Sequence, residues 1–219
     1  MIITRQKPLE DMLEFVKGCK KIFLIGCNLC ATTCKSGGEE EVKEIAEKLK
    51  KNGKVITGTA VLDPACSYLE LKRLYRSHAD EIDSADAVIS LACGGGTQAA
   101  AELFKATRVY PGTDTLFQGE ITRATLKERN FAQKCSLCGE CILAVTGGIC
   151  PVTRCPEGLL NGPCGGIKNG KCEVDKDMDC VWLIIYDKLR ELDEVDLMKV
   201  VREPKDHSKN KKPQDLTVE

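Results

Sequence analysis

The stretch KIFLIGC, residues 21–27, is an apolar run that ends on a glycine and a cysteine. Seven residues are short for a helix. Apolarity that is continuous rather than alternating marks a strand covered on both faces, as in parallel sheets. Outward from it, strand and helix patterns alternate. Upstream, Pro8 to Lys17 carries Leu9, Met12, Leu13 and Val16 at helical spacing. Downstream, EEEVKEIAEKLKKNG (39–53) opens on acids, closes on lysines and stops at Gly53, with Val42, Ile45, Ala46 and Leu49 on one face. KVITGTAVLD (54–63) then reads as a strand, YLELKRLYRSHADEI (68–82) as a helix and DAVISLAC (86–93) as a strand. TQAAAELF (97–104) follows as a short helix and TRVYPG (107–112) as a fourth strand. This rhythm predicts an α/β fold with a small parallel sheet over residues 1–130.

Ligands of open α/β sheets gather beyond the carboxyl ends of the strands. Five cysteines fall there. Cys27, Cys30 and Cys34 follow the first strand, Cys66 follows the second after Pro64, and Cys93 ends the third. Thiols from three strand ends on one rim predict a metal site with one cysteine to spare. Cys19, in the linker before residue 21, reads as a small apolar residue. The order C-x2-C-x3-C differs from the C-x3-C-x2-C of radical enzymes that bind S-adenosylmethionine.

From about residue 131 the character changes, for eight of the 14 cysteines lie between Cys135 and Cys180, among glycines and prolines. Such a segment buries too little apolar surface to fold on its core alone and needs inorganic staples. Residues 131–204 are therefore expected to form a loop-rich, cysteine-dense metal-binding domain with C-terminal helices at VWLIIYDKLREL (181–192) and DEVDLMKVV (193–201). Residues 205–219 are expected to be a polar, mobile tail.

The cysteines of this half are Cys135, Cys138, Cys141, Cys150, Cys155, Cys164, Cys172 and Cys180. CSLCGEC (135–141) wraps three thiolates at two-residue intervals, the spacing that surrounds one face of a 4Fe-4S cube, and Cys150 and Cys155 are each followed by proline, as in ferredoxins. Zinc ribbons instead use separated two-cysteine knuckles, and zinc would equally well fold a glycine-rich segment. Spacing leans to iron and leaves zinc open, alone or beside a cluster.

Composition narrows the rest. Only two histidines accompany the 14 cysteines, so sulfur is the ligand chemistry. The N-terminus lacks the pattern of an export signal, which with reduced thiols predicts a cytoplasmic protein. No run is long enough for a membrane span, and a net charge of −1 gives no sign of nucleic-acid binding. ACGGGTQ (92–98) lacks the Lys-Ser/Thr of a phosphate loop. His78 and His207 have no partner for metal or acid–base work, Trp182 reads as packing, and no catalytic residue is assigned.

TGGICPVTRCPEGLLNGPCGGIKNGKCEV (146–174) followed by DCVW (179–182) resembles the C-terminal domain of methylenetetrahydrofolate reductase. From GCNLC (26–30) and SLACGGG (90–96) to DCVW, the chain looks like the small iron–sulfur subunit of the acetogen-type enzyme. The resemblance implies a separate TIM-barrel subunit that binds flavin and folate and reduces 5,10-methylenetetrahydrofolate to 5-methyltetrahydrofolate. This chain would carry one to three 4Fe-4S clusters, and zinc in some descriptions of the family. It would pass electrons from a ferredoxin-like or other redox donor to the partner's flavin. Two other readings are a zinc-stapled assembly subunit without redox role, and an independent enzyme whose cluster binds substrate as a Lewis acid.

Overall fold

A computed structural model describes residues 1–125 and 128–218. The chain divides into two compact units, Met1–Phe131 and Ala132–Glu219.

The first unit is built on the strand of the opening stretch. β2 (Lys21–Cys27) pairs in parallel with β3 (Val55–Leu62) on one side and β4 (Ala87–Ser90) on the other, and β4 pairs in parallel with β5 (Arg108–Pro111). The order is β3-β2-β4-β5. Alternate side chains of β2 serve two cores, which explains its unbroken apolarity. Phe23, Ile25 and Cys27 pack with Leu71 and Leu74 of α4 (Tyr68–Ser77), Ile82 of α5 (Ala79–Asp83) and Ala100 of α6 (Gly94–Leu103). Ile22 and Leu24 pack with Met12 of α1 (Leu9–Phe15) and with Val42, Ile45 and Leu49 of α3 (Glu39–Lys51). Cys19 lies against the second core as a small apolar side chain.

Local chemistry sets the element ends. The backbone N–H of Gly38 donates to Glu41 Oε2 at 2.8 Å, closing the start of α3, and Gly53 leaves its end at φ +79°. The single helix expected over 68–82 is two: Ser67 caps α4, and the chain breaks at His78 before α5. His78 Nδ1 is 2.8 Å from Ser77 Oγ, and its ring meets Phe23 edge-on. The helix expected from Thr97 starts earlier, with Gly94–Gly96 as its first turn.

Five elements lie outside the expected alternation. β1 (Ile2–Gln6) pairs antiparallel with β6 (Thr113–Gln118), β7 (Glu120–Ala124) and β8 (Arg129–Ala132) form a second two-stranded sheet, and α2 (Cys30–Thr33) is a single short turn.

The second unit has little regular structure besides α7 (Pro151–Arg154) and α8 (Val181–Glu191), with a 3-10 turn at Val195–Lys199 in place of the second expected helix. Its core is small: Cys180, Val181, Trp182, Ile185 and Leu189. Trp182 is 1% exposed and donates from Nε1 to the Leu159 carbonyl at 3.1 Å, so it is a packing residue. The polar tail begins with an ordered 3-10 turn, His207–Asn210, capped by Asp206; Glu219 lies outside the described residues. Among the described residues no helix is long and apolar enough to cross a membrane.

Candidate metal centres

In the first unit β2 lies between β3 and β4, so the carboxyl ends of these three strands stand side by side. The chain leaves β2 toward β3 on one flank and later returns as β4 on the other, which makes the β2/β4 boundary the switch point of the sheet. Cys27 closes β2, and Cys93 caps α6 just beyond β4. Cys66 sits in the turn after β3, while Cys30 opens α2 and Cys34 closes it.

Local contacts hold this rim in place. Thr32 Oγ1 donates to the Cys27 carbonyl at 2.9 Å, and Arg129 Nη1 donates to the carbonyls of Thr32 and Thr33 at 3.1 and 2.5 Å. Cys27 N–H donates to the Gly37 carbonyl at 2.9 Å. Gly37 is packed so tightly that an added Cβ would stand 1.8 Å from the Leu91 carbonyl oxygen.

The five thiols are not equivalent. Partial desolvation pushes the Cys66 thiol above its ordinary range, and the nearby thiols of Cys93, Cys27 and Cys30 push it further. Cys34 instead directs its sulfur to the Ile2 carbonyl at 3.8 Å, while Ile2 N–H donates to Cys30 Sγ at 3.4 Å. Cys93, Cys27 and Cys30 thus lie within electrostatic reach of Cys66, and both Cys30 and Cys34 meet β1 through Ile2.

In the second unit the eight cysteines divide by fours. Cys135, Cys138, Cys141 and Cys150 line one cavity of ≈ 200 Å³; Cys155, Cys164, Cys172 and Cys180 line another of ≈ 20 Å³. Around the larger cavity Leu137 and Gly139 adopt positive φ, +55° and +73°, and Leu137 N–H donates to Cys135 Sγ at 3.4 Å. Thr153 Oγ1 is 2.8 Å from Ser136 Oγ and 3.6 Å from Cys150 Sγ, tying the CSLCGEC loop to the first Cys-Pro turn. Pro151 opens α7, where its missing N–H costs no hydrogen bond.

Electrostatics differ between the two groups. Partial desolvation works against ionisation of Cys138, but a backbone hydrogen bond from Glu140 and the ammonium of Lys205, 3.2 Å from the sulfur, outweigh it and hold this thiol below its usual range. At Cys164 the Gly166 amide favours the thiolate, yet desolvation and the Glu173 carboxylate prevail and push the thiol up. Glu173 lies over Gly166, where an added Cβ would overlap its Oε2 at 1.3 Å.

Donor chemistry fits a thiolate-bound metal or cluster: each cavity is lined by four cysteines, and amides point at Cys30, Cys135 and Cys164. Among the described residues no three His, Cys, Asp or Glu side chains converge as closely as a single ion requires. Four thiolates around zinc at ~2.3 Å would stand roughly 3.8 Å apart. Sites of this kind close as the metal replaces the protons on the thiols, which are released to solvent, and that closure is part of folding. Sequence reasoning missed Arg129, Thr153, Glu173 and Lys205; Thr153 and Glu173 lie in the stretch that resembles the reductase domain but were not singled out there.

With this geometry in hand, the comparisons with known proteins divide the chain. Residues 110–208 match the family described as methylene-tetrahydrofolate reductase C terminal. The match contains all eight cysteines of the second unit and none of the rim cysteines, so the likeness to methylenetetrahydrofolate reductase rests on the cysteine-dense half. No curated protein matches the chain.

Proposed function

We propose that the chain is an electron-transfer subunit of a methylenetetrahydrofolate reductase. It takes single electrons from a ferredoxin-like or other redox donor and delivers them to the flavin of a TIM-barrel partner, which reduces 5,10-methylenetetrahydrofolate to 5-methyltetrahydrofolate. The carrying observation is the grouping of Cys135, Cys138, Cys141 and Cys150 around ≈ 200 Å³ of space within the family-matched segment. A 4Fe-4S cluster, when bound, supplies one-electron transfer at a potential set by hydrogen bonds and solvent exposure. The chain contributes four thiolates, the Leu137 amide and the half-buried Lys205 ammonium beside them.

Cys27, Cys30, Cys66 and Cys93 would hold a further cluster at the sheet's switch point, with Cys34 the spare. The group formed by Cys155, Cys164, Cys172 and Cys180 differs in scale. A cavity of ≈ 20 Å³ is about the space of one water molecule, which suits a single tetrahedral ion such as zinc. That observation favours the second reading, a zinc-stapled assembly subunit, for this part of the unit. Low-temperature EPR of the anaerobically prepared, reduced chain separates the two readings: S = 1/2 cluster signals support electron transfer, and an EPR-silent protein with zinc as its metal supports assembly alone.

A further inference from the structure

The segment from Arg202 to Lys209, whose composition gives no hint of a role, is strapped across the CSLCGEC loop. At its start, Asn161 brackets the backbone of Arg202: Arg202 N–H donates to Asn161 Oδ1 at 2.7 Å, and Asn161 Nδ2 donates to the Arg202 carbonyl at 2.8 Å. The Arg202 guanidinium then reaches the carbonyls of Val145 at 3.0 Å and of Leu160 and Leu197 at 3.3 Å each. At its far end, both oxygens of Glu140 are engaged. Asp206 N–H donates to Oε2 at 3.1 Å, and Lys209 Nζ donates to Oε1 at 2.7 Å. Gly139 is the seat: its φ is +73°, and a Cβ there would stand 2.3 Å from the Lys209 carbonyl oxygen.

Between these anchors Lys205 points inward. Its ammonium donates to Cys138 Sγ at 3.2 Å and to the Glu140 carbonyl. An unrestrained lysine gives up rotamer freedom to hold one position; here the bracket at Asn161 and the clamp on Glu140 fix the backbone on both sides, so the ammonium is delivered to one sulfur.

We propose that this strap makes Lys205 a positioning residue that sets the reduction potential of the group held by Cys135, Cys138, Cys141 and Cys150. The inference rests on the electron-transfer reading above. Accepting one electron from the donor adds one negative charge, spread in part over the ligand sulfurs, and passing it to the flavin removes that charge; no proton moves and no bond to Lys205 forms. A cation within hydrogen-bond distance of a ligand sulfur favours the more negative state and raises the potential. The neighbouring Lys209 charge is met by Glu140, whereas the Lys205 ammonium is directed at the Cys138 sulfur.

The test is an EPR-monitored redox titration of the full, iron-loaded chain, compared with Lys205→Gln, Lys205→Arg and Asn161→Leu. Lys205→Gln is expected to lower the reduced-to-oxidised ratio at fixed potential about tenfold, roughly 59 mV for one electron, with iron content unchanged. Lys205→Arg keeps the charge and stays within about twofold of the parent. Asn161→Leu leaves every cysteine and Lys205 in place and loosens the strap; it is expected to shift the potential in the same direction as Lys205→Gln, with faster hydrogen exchange over 202–209. That variant also carries the test if Lys205→Gln loses iron. An unchanged potential in Lys205→Gln with iron intact, an Arg variant that falls as far as the Gln variant, or a released strap without a shift overturns the inference while the electron-transfer reading stands. A parent chain that binds no iron overturns both.

Discussion

Replacing Trp182 with alanine should destabilise the second unit of the metal-loaded chain and leave the first unit folded. A buried tryptophan side chain removes roughly 150–250 Å² from water, which at ~25 cal/mol per Å² is roughly 4–6 kcal/mol. Large aromatic truncations in cores cost about 3–5 kcal/mol, and the Leu159 carbonyl loses its donor for about 1 kcal/mol more. The rest of that core is Cys180, Val181, Ile185 and Leu189. A total near 5 kcal/mol thus rivals the whole stability of a small domain, ~5–15 kcal/mol. The first unit draws on two other cores, around Phe23 and Ile25 and around Ile22 and Leu24. Hydrogen exchange read by mass spectrometry resolves the units: amides of 181–191 should lose protection while those of 21–27 keep theirs. Equal loss in both, or protection of 181–191 that survives, would refute the argument that Trp182 carries the second core.

Three further expectations follow from local geometry. Gly37→Ala drives a Cβ against the Leu91 carbonyl oxygen and should cost about 1–3 kcal/mol, read as a lower denaturation midpoint; an unchanged midpoint contradicts the close approach. The carboxylate of Asp86 accepts the backbone amides of Lys21 and Lys20 at 2.8 and 2.7 Å and is held below its usual range. Its stabilisation is present above the unfolded value of about 3.9 and fades as pH falls through the lower folded value. Asp86→Asn should therefore flatten the stability-versus-pH curve in that acid window and nowhere near neutrality. Cys141→Ser should remove metal from the Cys135–Cys150 group and spare that of the Cys155–Cys180 group, whereas Cys172→Ser should do the reverse; metal analysis that finds both lost together in either variant contradicts two separate sites.

What could be read from the chain depended on how local its cause was. β2 and α3 were legible because unbroken apolarity and helical spacing with charged ends are short-range signals. The rim cysteines were legible as a set, since strand ends predict a rim. β1 was not, because IITRQ pairs with residues 113–118 at the far end of the unit. The β7–β8 hairpin was hidden for a different reason: every residue of Glu120–Ala124 is exposed, so no apolar alternation marks it. His78 divides one helical pattern into α4 and α5 without a glycine or proline to announce it. The division of the eight cysteines between two cavities, of ≈ 200 and ≈ 20 Å³, depends on tertiary structure, and spacing alone left it open. So does the position of Lys205, which composition alone assigned to a polar tail.

The electron-transfer reading is tested most directly by the iron, acid-labile sulfide and zinc content of the full chain prepared without oxygen. It predicts iron and sulfide in near-equal amounts, at least four of each per chain for one 4Fe-4S cluster, with at most one zinc. Zinc in the absence of iron and sulfide would contradict it and leave the assembly role.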